Sequence, residues 1–215
     1  MRARALVVLV ATLIPGAALA QGIQGAAGGY NVQRRVYYQS AVHEQTGLLI
    51  GGGGSLRLGR LQLGVDGVMG TLKAAEETAG NEDVKVRSSA VRALLVVAPG
   101  LLVGVQAEAR RFEADAGVTM WRLLGANVRL EPQLGHQSLR ALADVSVLPA
   151  SSVASGPKLK MAVQAMVGLG VELPRSPVGF RVYYRFERFD IEATAQSPER
   201  YEQFRGLVVE AGLRL

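Results

Sequence analysis

Residues 158–172 read KLKMAVQAMVGLGVE, and this stretch decides the fold. Leu159, Met161, Val163, Ala165, Val167, Leu169 and Val171 fall on one parity; Lys160, Ala162, Gln164, Met166, Gly168, Gly170 and Glu172 fall on the other. Successive strand side chains point to opposite faces, so the segment predicts a long strand that is apolar on one side only.

The same alternation recurs along the chain. Leu61, Leu63, Val65 and Met69 oppose Gln62, Gly64 and Asp66, and Leu101, Val103, Val105, Ala107 and Ala109 oppose Gly104, Gln106, Glu108 and Arg110. Leu139, Ala141, Ala143, Val145 and Val147 oppose Arg140, Asp144 and Ser146, while Leu207, Val209, Ala211, Leu213 and Leu215 oppose Glu210, Gly212 and Arg214. These runs exceed the strands of about six residues that sandwiches use. They suit membrane-crossing strands of about 9–11 residues with extensions beyond the bilayer.

The N-terminus reads as an export signal. Arg2 and Arg4 precede an apolar run from Ala5 to Ile14, Pro15-Gly16 breaks it, and Ala18-Leu19-Ala20 fits a signal peptidase, placing cleavage before Gln21. Residues 1–20 are thus expected to be a secretory signal and residues 21–215 one domain. Losing Arg2 and Arg4 lowers the formal charge from +6 to +4, and export argues against nucleic acid as the acidic partner, leaving lipid phosphate. With no cysteine, the exported fold holds itself without disulfides.

Connection lengths alternate. Gly59-Arg60, Pro99-Gly100, Gly135–Gln137 and Pro174–Pro177 are short, Glu113–Gly117 is intermediate, and Gln39–Thr46, Lys73–Asp83, Ala150–Pro157 and Ala193–Arg200 are long. Short periplasmic turns with longer external loops are the habit of outer-membrane barrels. Nine clear strands plus a first strand within Gly28–Tyr38 predict an all-β, closed, antiparallel, up-and-down transmembrane barrel of about ten strands. An eight-stranded closure, with the N-terminal segment loose or in the lumen, is the other count. In the first strand Arg34 shares parity with Val32 and Val36 and is expected to face lipid, with Arg35 inside.

Nearly all of the mature chain resembles the small bacterial outer-membrane β-barrel class, through the signal, the alternating strands and the ending GLVVEAGLRL at 206–215. The resemblance implies residence in the bacterial outer membrane and recognition of that ending by the barrel-assembly machinery. The signal of the class usually ends in an aromatic residue, where this chain has Leu215.

The polar parity predicts a charged lumen of Arg57, Asp66, Arg92, Glu108, Arg110, Arg129, Glu131, Arg140, Asp144, Lys160, Glu172, Arg181, Arg185, Glu187, Glu210 and Arg214. A barrel this narrow is largely filled by side chains, so an internally paired ionic core is the leading expectation and a porin-like water path the next. Tyr37, Tyr38, Phe112, Trp121, Phe186, Phe189, Tyr201 and Phe204 fall near external strand ends and read as half of an aromatic girdle. Arg34, Arg188, Arg200 and Arg205 lie near the same arc and are candidate ligands for phosphates of outer-leaflet glycolipid.

Catalytic signals are thin, and the expected role is not enzymatic. His43, beside Ser40 and Glu44, and His136, two residues before Ser138, are predicted at opposite ends of the barrel. His136-x-Ser138 has the spacing found in outer-membrane lipid deacylases, which makes a lipid-modifying enzyme the different-class alternative; a soluble periplasmic barrel with an apolar ligand is third. Omptin-like proteases need clustered Asp and His at the external rim, which His43 lacks. No cofactor or metal is expected: Glu76, Glu77, Glu82 and Asp83 read as a solvated acidic loop, and Gly51–Gly54 lacks the Lys-Ser/Thr that completes a phosphate loop.

Overall fold

In the computed structural model, residues 22–38, 41–76, 81–135, 138–155, 157–173, 175–193 and 199–214 are described. The expected signal at 1–20, and with it Ser40, Glu77, His136 and Leu215, lies outside them.

The ten strands are β1 (Gly22–Tyr37), β2 (Val42–Leu58), β3 (Leu61–Ala74), β4 (Val84–Ala98), β5 (Leu101–Ala114), β6 (Gly117–Leu130), β7 (Leu139–Ser155), β8 (Leu159–Glu172), β9 (Val178–Ile191) and β10 (Arg200–Arg214). Each pairs antiparallel with its chain neighbours, and β1 closes on β10 from Gln24↔Arg214 to Tyr37↔Tyr201. Ten strands is therefore the count, and the N-terminal segment is a full member of the wall. Closure leaves no strand edge, which is what allows a sheet to sit in hydrocarbon without unsatisfied backbone groups.

The outer face is apolar. Val167 is 62% exposed and Leu48 61%, and Val65, Val91, Val105, Leu124, Val145, Val182 and Leu207 share that outward orientation. A soluble barrel buries such side chains; this one presents them as a continuous band for lipid. At one mouth the β2–β3 and β4–β5 turns are tight, with positive φ at Gly59 and Gly100, while residues 131–138 make a longer connection; this mouth also holds the start of β1 and the end of β10. It is the periplasmic mouth by the rule that short turns lie there.

Several sequence expectations change. The expected long loops Ala150–Pro157 and Gln39–Thr46 are mostly strand, because β7 runs to Ser155 and β2 begins at Val42; the turn expected at Gly135–Gln137 is part of a longer connection, 131–138, and β1 begins at Gly22 rather than Gly28. Pro149, which cannot donate to a ladder, is accommodated at a register shift opposite Leu124 and Ala126. In β1 the parity is reversed: Tyr30, Val32 and Val36 are buried in the lumen, and Arg34 points in with them. In β8 a register shift between Leu159 and Met161 turns Leu159 inward and leaves Lys160 exposed.

Candidate functional site

The lumen has three levels, each built from inward-facing positions. Towards the external mouth it is apolar. Trp121 packs edge-on against Phe112 at 5.0 Å and stacks on Phe189 at 5.4 Å, and Phe204 contacts Phe189 at 5.6 Å and Phe112 at 5.8 Å. Trp121, Phe189 and Phe204 are at most 1% exposed, and Leu72, Val86, Leu148 and Ile191 pack around them. Four of the eight residues read as girdle aromatics are thus inside the barrel. The reason is that the upper lumen is itself a hydrophobic core, so at these strand ends the large aromatics face inward while Arg111, Arg122, Arg188 and Arg205 face out. Tyr37 and Tyr201 do lie on the wall, stacked at 4.4 Å.

Two guanidiniums cap the aromatic cluster. Arg34 lies over Phe112 and Phe204, and Arg110 lies 4.7 Å from the centre of Phe189. Desolvated cation–π contacts of this kind are worth about 2 kcal/mol. Arg34 also donates to Glu202 at 2.6 Å and to Gln45 at 2.6 Å.

The middle level is ionic. Asp66 pairs with Arg92, whose Nε donates to Gln106 at 2.8 Å. Gln106 donates to Gln164 at 2.8 Å, and Gln164 to Glu108 at 2.5 Å. Glu108 holds Arg110 at 2.7 Å, and Glu187 holds both Arg110 at 2.7 Å and Arg185 at 2.5 Å. A branch runs from Gln106 through Ser146 and Asn127 to Asp144 and Arg129, the last pair at 2.7 Å. Four arginines, Arg92, Arg110, Arg129 and Arg185, meet four carboxylates, Asp66, Glu108, Asp144 and Glu187, so the layer is formally neutral. Buried charges persist where each is paired and hydrogen-bonded. The bridging amides Gln106, Gln164 and Asn127 were not singled out from sequence; their signal was inward parity without charge.

The third level is a chamber of about 600 Å3 at the periplasmic mouth, walled on the β1–β3 side by Gly51, Gly53 and Gly64. Arg140 faces Glu172 at 3.2 Å, Arg214 reaches Glu172 at 2.9 Å, and Tyr183 donates to Glu210 at 2.6 Å. Arg181 donates to Gln24 at 3.4 Å, Glu131 stands 3.8 Å from Arg129, and Arg57, exposed at the mouth, donates to the Gly59 carbonyl. Lys160 belongs to none of these levels: displaced by the β8 bulge, it sits half exposed at the external rim with Glu199 at 2.5 Å.

The four rim arginines are dispersed. Arg34 is inside the plug; Arg188 pairs with Asp190 at 2.8 Å and lies over Tyr201. Arg200 stands 3.8 Å from Glu202 and over Tyr38, and Arg205 donates to Gln33. His43 lies against Tyr38 at 5.1 Å. In the acidic segment Glu82 accepts from the Ala116 N–H and Asp83 from Lys73 and the Ala74 N–H, contacts that tie the external edge together. Hydrogen bonds to its ionised form, from Lys73 first and the Ala74 N–H next, hold the Asp83 carboxyl below its ordinary value.

No protein-family model matches the chain, and no curated protein does. Among solved structures, the outer membrane protease OmpT from Escherichia coli superposes with a TM-score of 0.56 at 10% identity, over 90% of this chain and 96% of that one. The translocator domain of the autotransporter NalP from Neisseria meningitidis gives 0.46 at 13% identity, over 90% and 88%. Neisserial surface protein A gives 0.39 at 13% identity, over 89% and 95%. At such identity the first likeness speaks for the fold alone. The closed barrel, its apolar outer band and that likeness define a small outer-membrane β-barrel protein. The bacterial outer membrane is its location.

Proposed function

We propose that this protein is a structural, non-conducting barrel of the outer membrane, with a lumen sealed by its own side chains rather than a porin-like pore. The observation that carries this reading is the pair of stacked seals: the Trp121–Phe189–Phe204 cluster and, below it, the neutral ionic layer joined across the lumen by Arg110 and Glu187. A conducting pore keeps a hydrated path with a charge bias that selects ions. Here the middle level is charge-balanced and the upper level is filled by the aromatic cluster, where Arg34 is held by Glu202 and Gln45, which leaves no open charged path along the axis.

Planar-bilayer recording of the refolded full-length mature protein tests the reading. The expected result is a silent membrane with correctly inserted, heat-modifiable protein. Steady unitary currents from the wild-type barrel overturn it. The variant Trp121→Ala is expected to stay silent, because the Arg110–Glu187 bridge blocks the axis independently.

A further inference from the structure

A different part of the surface carries an inference independent of the lumen. On the outer wall Arg87 of β4 stands directly opposite Arg111 of β5 in the ladder. Arg122 of β6 is the diagonal neighbour of Arg111, since Arg111 pairs with Met120 and Ala109 with Arg122. All three side chains are exposed, and each shares its strand's outward parity with lipid-facing residues: Val91 and Leu95, Val103 and Val105, Leu124 and Val128. The three guanidiniums therefore emerge at the external edge of the apolar band, where the outer-leaflet headgroups begin.

Like charges directly opposite on neighbouring strands destabilise a sheet. Here the repulsion is left standing: Arg111 pairs with Glu113 at 2.7 Å, but no carboxylate among the described residues pairs with Arg87 or Arg122. Lys85, opposite Glu113, adds a fourth cation to the same patch. The other external arc behaves differently, because Arg188, Arg205 and Arg35 are each held by Asp190, Gln33 and Glu44. Glu113 is thus the carboxylate the patch itself supplies, and it leaves Arg87 and Arg122 without a protein counter-charge among the described residues.

We propose that the outward face of β4, β5 and β6 binds a phosphorylated glycolipid of the outer leaflet through Arg87, Arg111 and Arg122. Guanidinium groups present paired N–H donors that match phosphate oxygens, and their aliphatic stems lie along apolar surface while the heads reach the interface. The occupant is a lipid rather than free phosphate, because Leu124 is the next outward position below Arg122 and Val91 stands level with it on β4, with Val105 one outward row further down on β5, a surface that acyl chains can contact.

Native mass spectrometry of the refolded barrel in detergent, titrated with diphosphoryl lipid A, tests this. Wild-type protein should retain one or more lipid molecules, and R87Q/R111Q/R122Q should bind about 100-fold more weakly, at about 1 kcal/mol for each cation near the surface. R188Q/R205Q should bind as wild type does. Lipid A stripped of its phosphates should fail to bind, and inorganic phosphate should not compete at equal concentration. Single R87Q and R122Q variants, each confirmed as folded by heat-modifiable mobility, should give graded losses even if the triple variant does not fold. Unchanged binding by the folded triple or single variants, equal binding of the dephosphorylated lipid, or equal competition by inorganic phosphate overturns the proposal.

Discussion

Arg110 on β5 and Glu187 on β9 make a two-bond fork across the lumen, Nη1 donating to one carboxylate oxygen at 2.7 Å and Nη2 to the other at 2.9 Å. Glu187 also accepts from Arg185, so a single buried carboxylate restrains two guanidiniums. Removing it leaves both short of counter-charge. Glu187→Ala is expected to lower unfolding stability in urea by about 3–5 kcal/mol, the cost of stranding a buried charge. Arg214→Ala breaks a half-exposed pair at the mouth and should cost less than about 1 kcal/mol. Equal losses in the two variants would show that the middle layer is hydrated.

The closing seam depends on a missing side chain. A Cβ on Gly206 would fall on the Asn31 carbonyl of β1 and lie 3.1 Å from the Tyr30 ring, whereas on Gly64 the nearest atom would be 3.8 Å away. Gly206→Ala should therefore pry β10 from β1, destabilising by about 1–3 kcal/mol or more and slowing folding into vesicles. Gly64→Ala should fold as wild type does. Heat-modifiable gel mobility reads both, and a Gly206→Ala barrel with native mobility and stability removes the close-approach argument.

Much of this wall was legible in the sequence because lipid outside and charge inside give each strand two unlike faces. The strand count, the tight turns at Gly59 and Gly100 and most of the ionic layer follow from that contrast. The contrast fails where the lumen is apolar. Val32 and Val36 looked like lipid-facing residues, and Phe112, Trp121, Phe189 and Phe204 like an interfacial girdle, because a hydrophobic core inside the barrel and hydrocarbon outside select the same side chains. Arg34 was misplaced with them: its parity was read against the valines, yet it is buried by pairing with Glu202 and capping two rings. Pro149 and Lys160 mark bulges, and a bulge shifts register without any periodic signal.

At the external edge, Lys73 donates to Asp83 at 2.5 Å and the Ala74 N–H to the same carboxylate at 3.1 Å. With the folded carboxyl held below its ordinary value, the contact is fully present above the unfolded value near ~3.9 and fades as pH falls through the folded one. In a titration followed by carboxyl chemical shift, Asp83 should show a midpoint below that value, and Lys73→Met should raise it. A midpoint unmoved by Lys73→Met removes the lysine as the cause.

The β8 bulge makes a prediction that simple alternation does not. Strict parity places Leu159 with Met161, Val167, Leu169 and Val171 against lipid. The register shift instead sets Leu159 opposite Ile191, both within the lumen cluster, and Met161 opposite Asp190 on the wall. The chain has no cysteine, so single replacements report one site each. Cysteines at 161, 167, 169 and 171 should react with a membrane-restricted maleimide, and one at Met166, which lines the chamber, with a small aqueous reagent. Leu159→Cys should resist both, because that position is 2% exposed. Labelling of 159 at the rate of 161 would restore unbroken alternation, return Lys160 to the lumen and remove part of the apolar seal on which the silent-barrel reading rests.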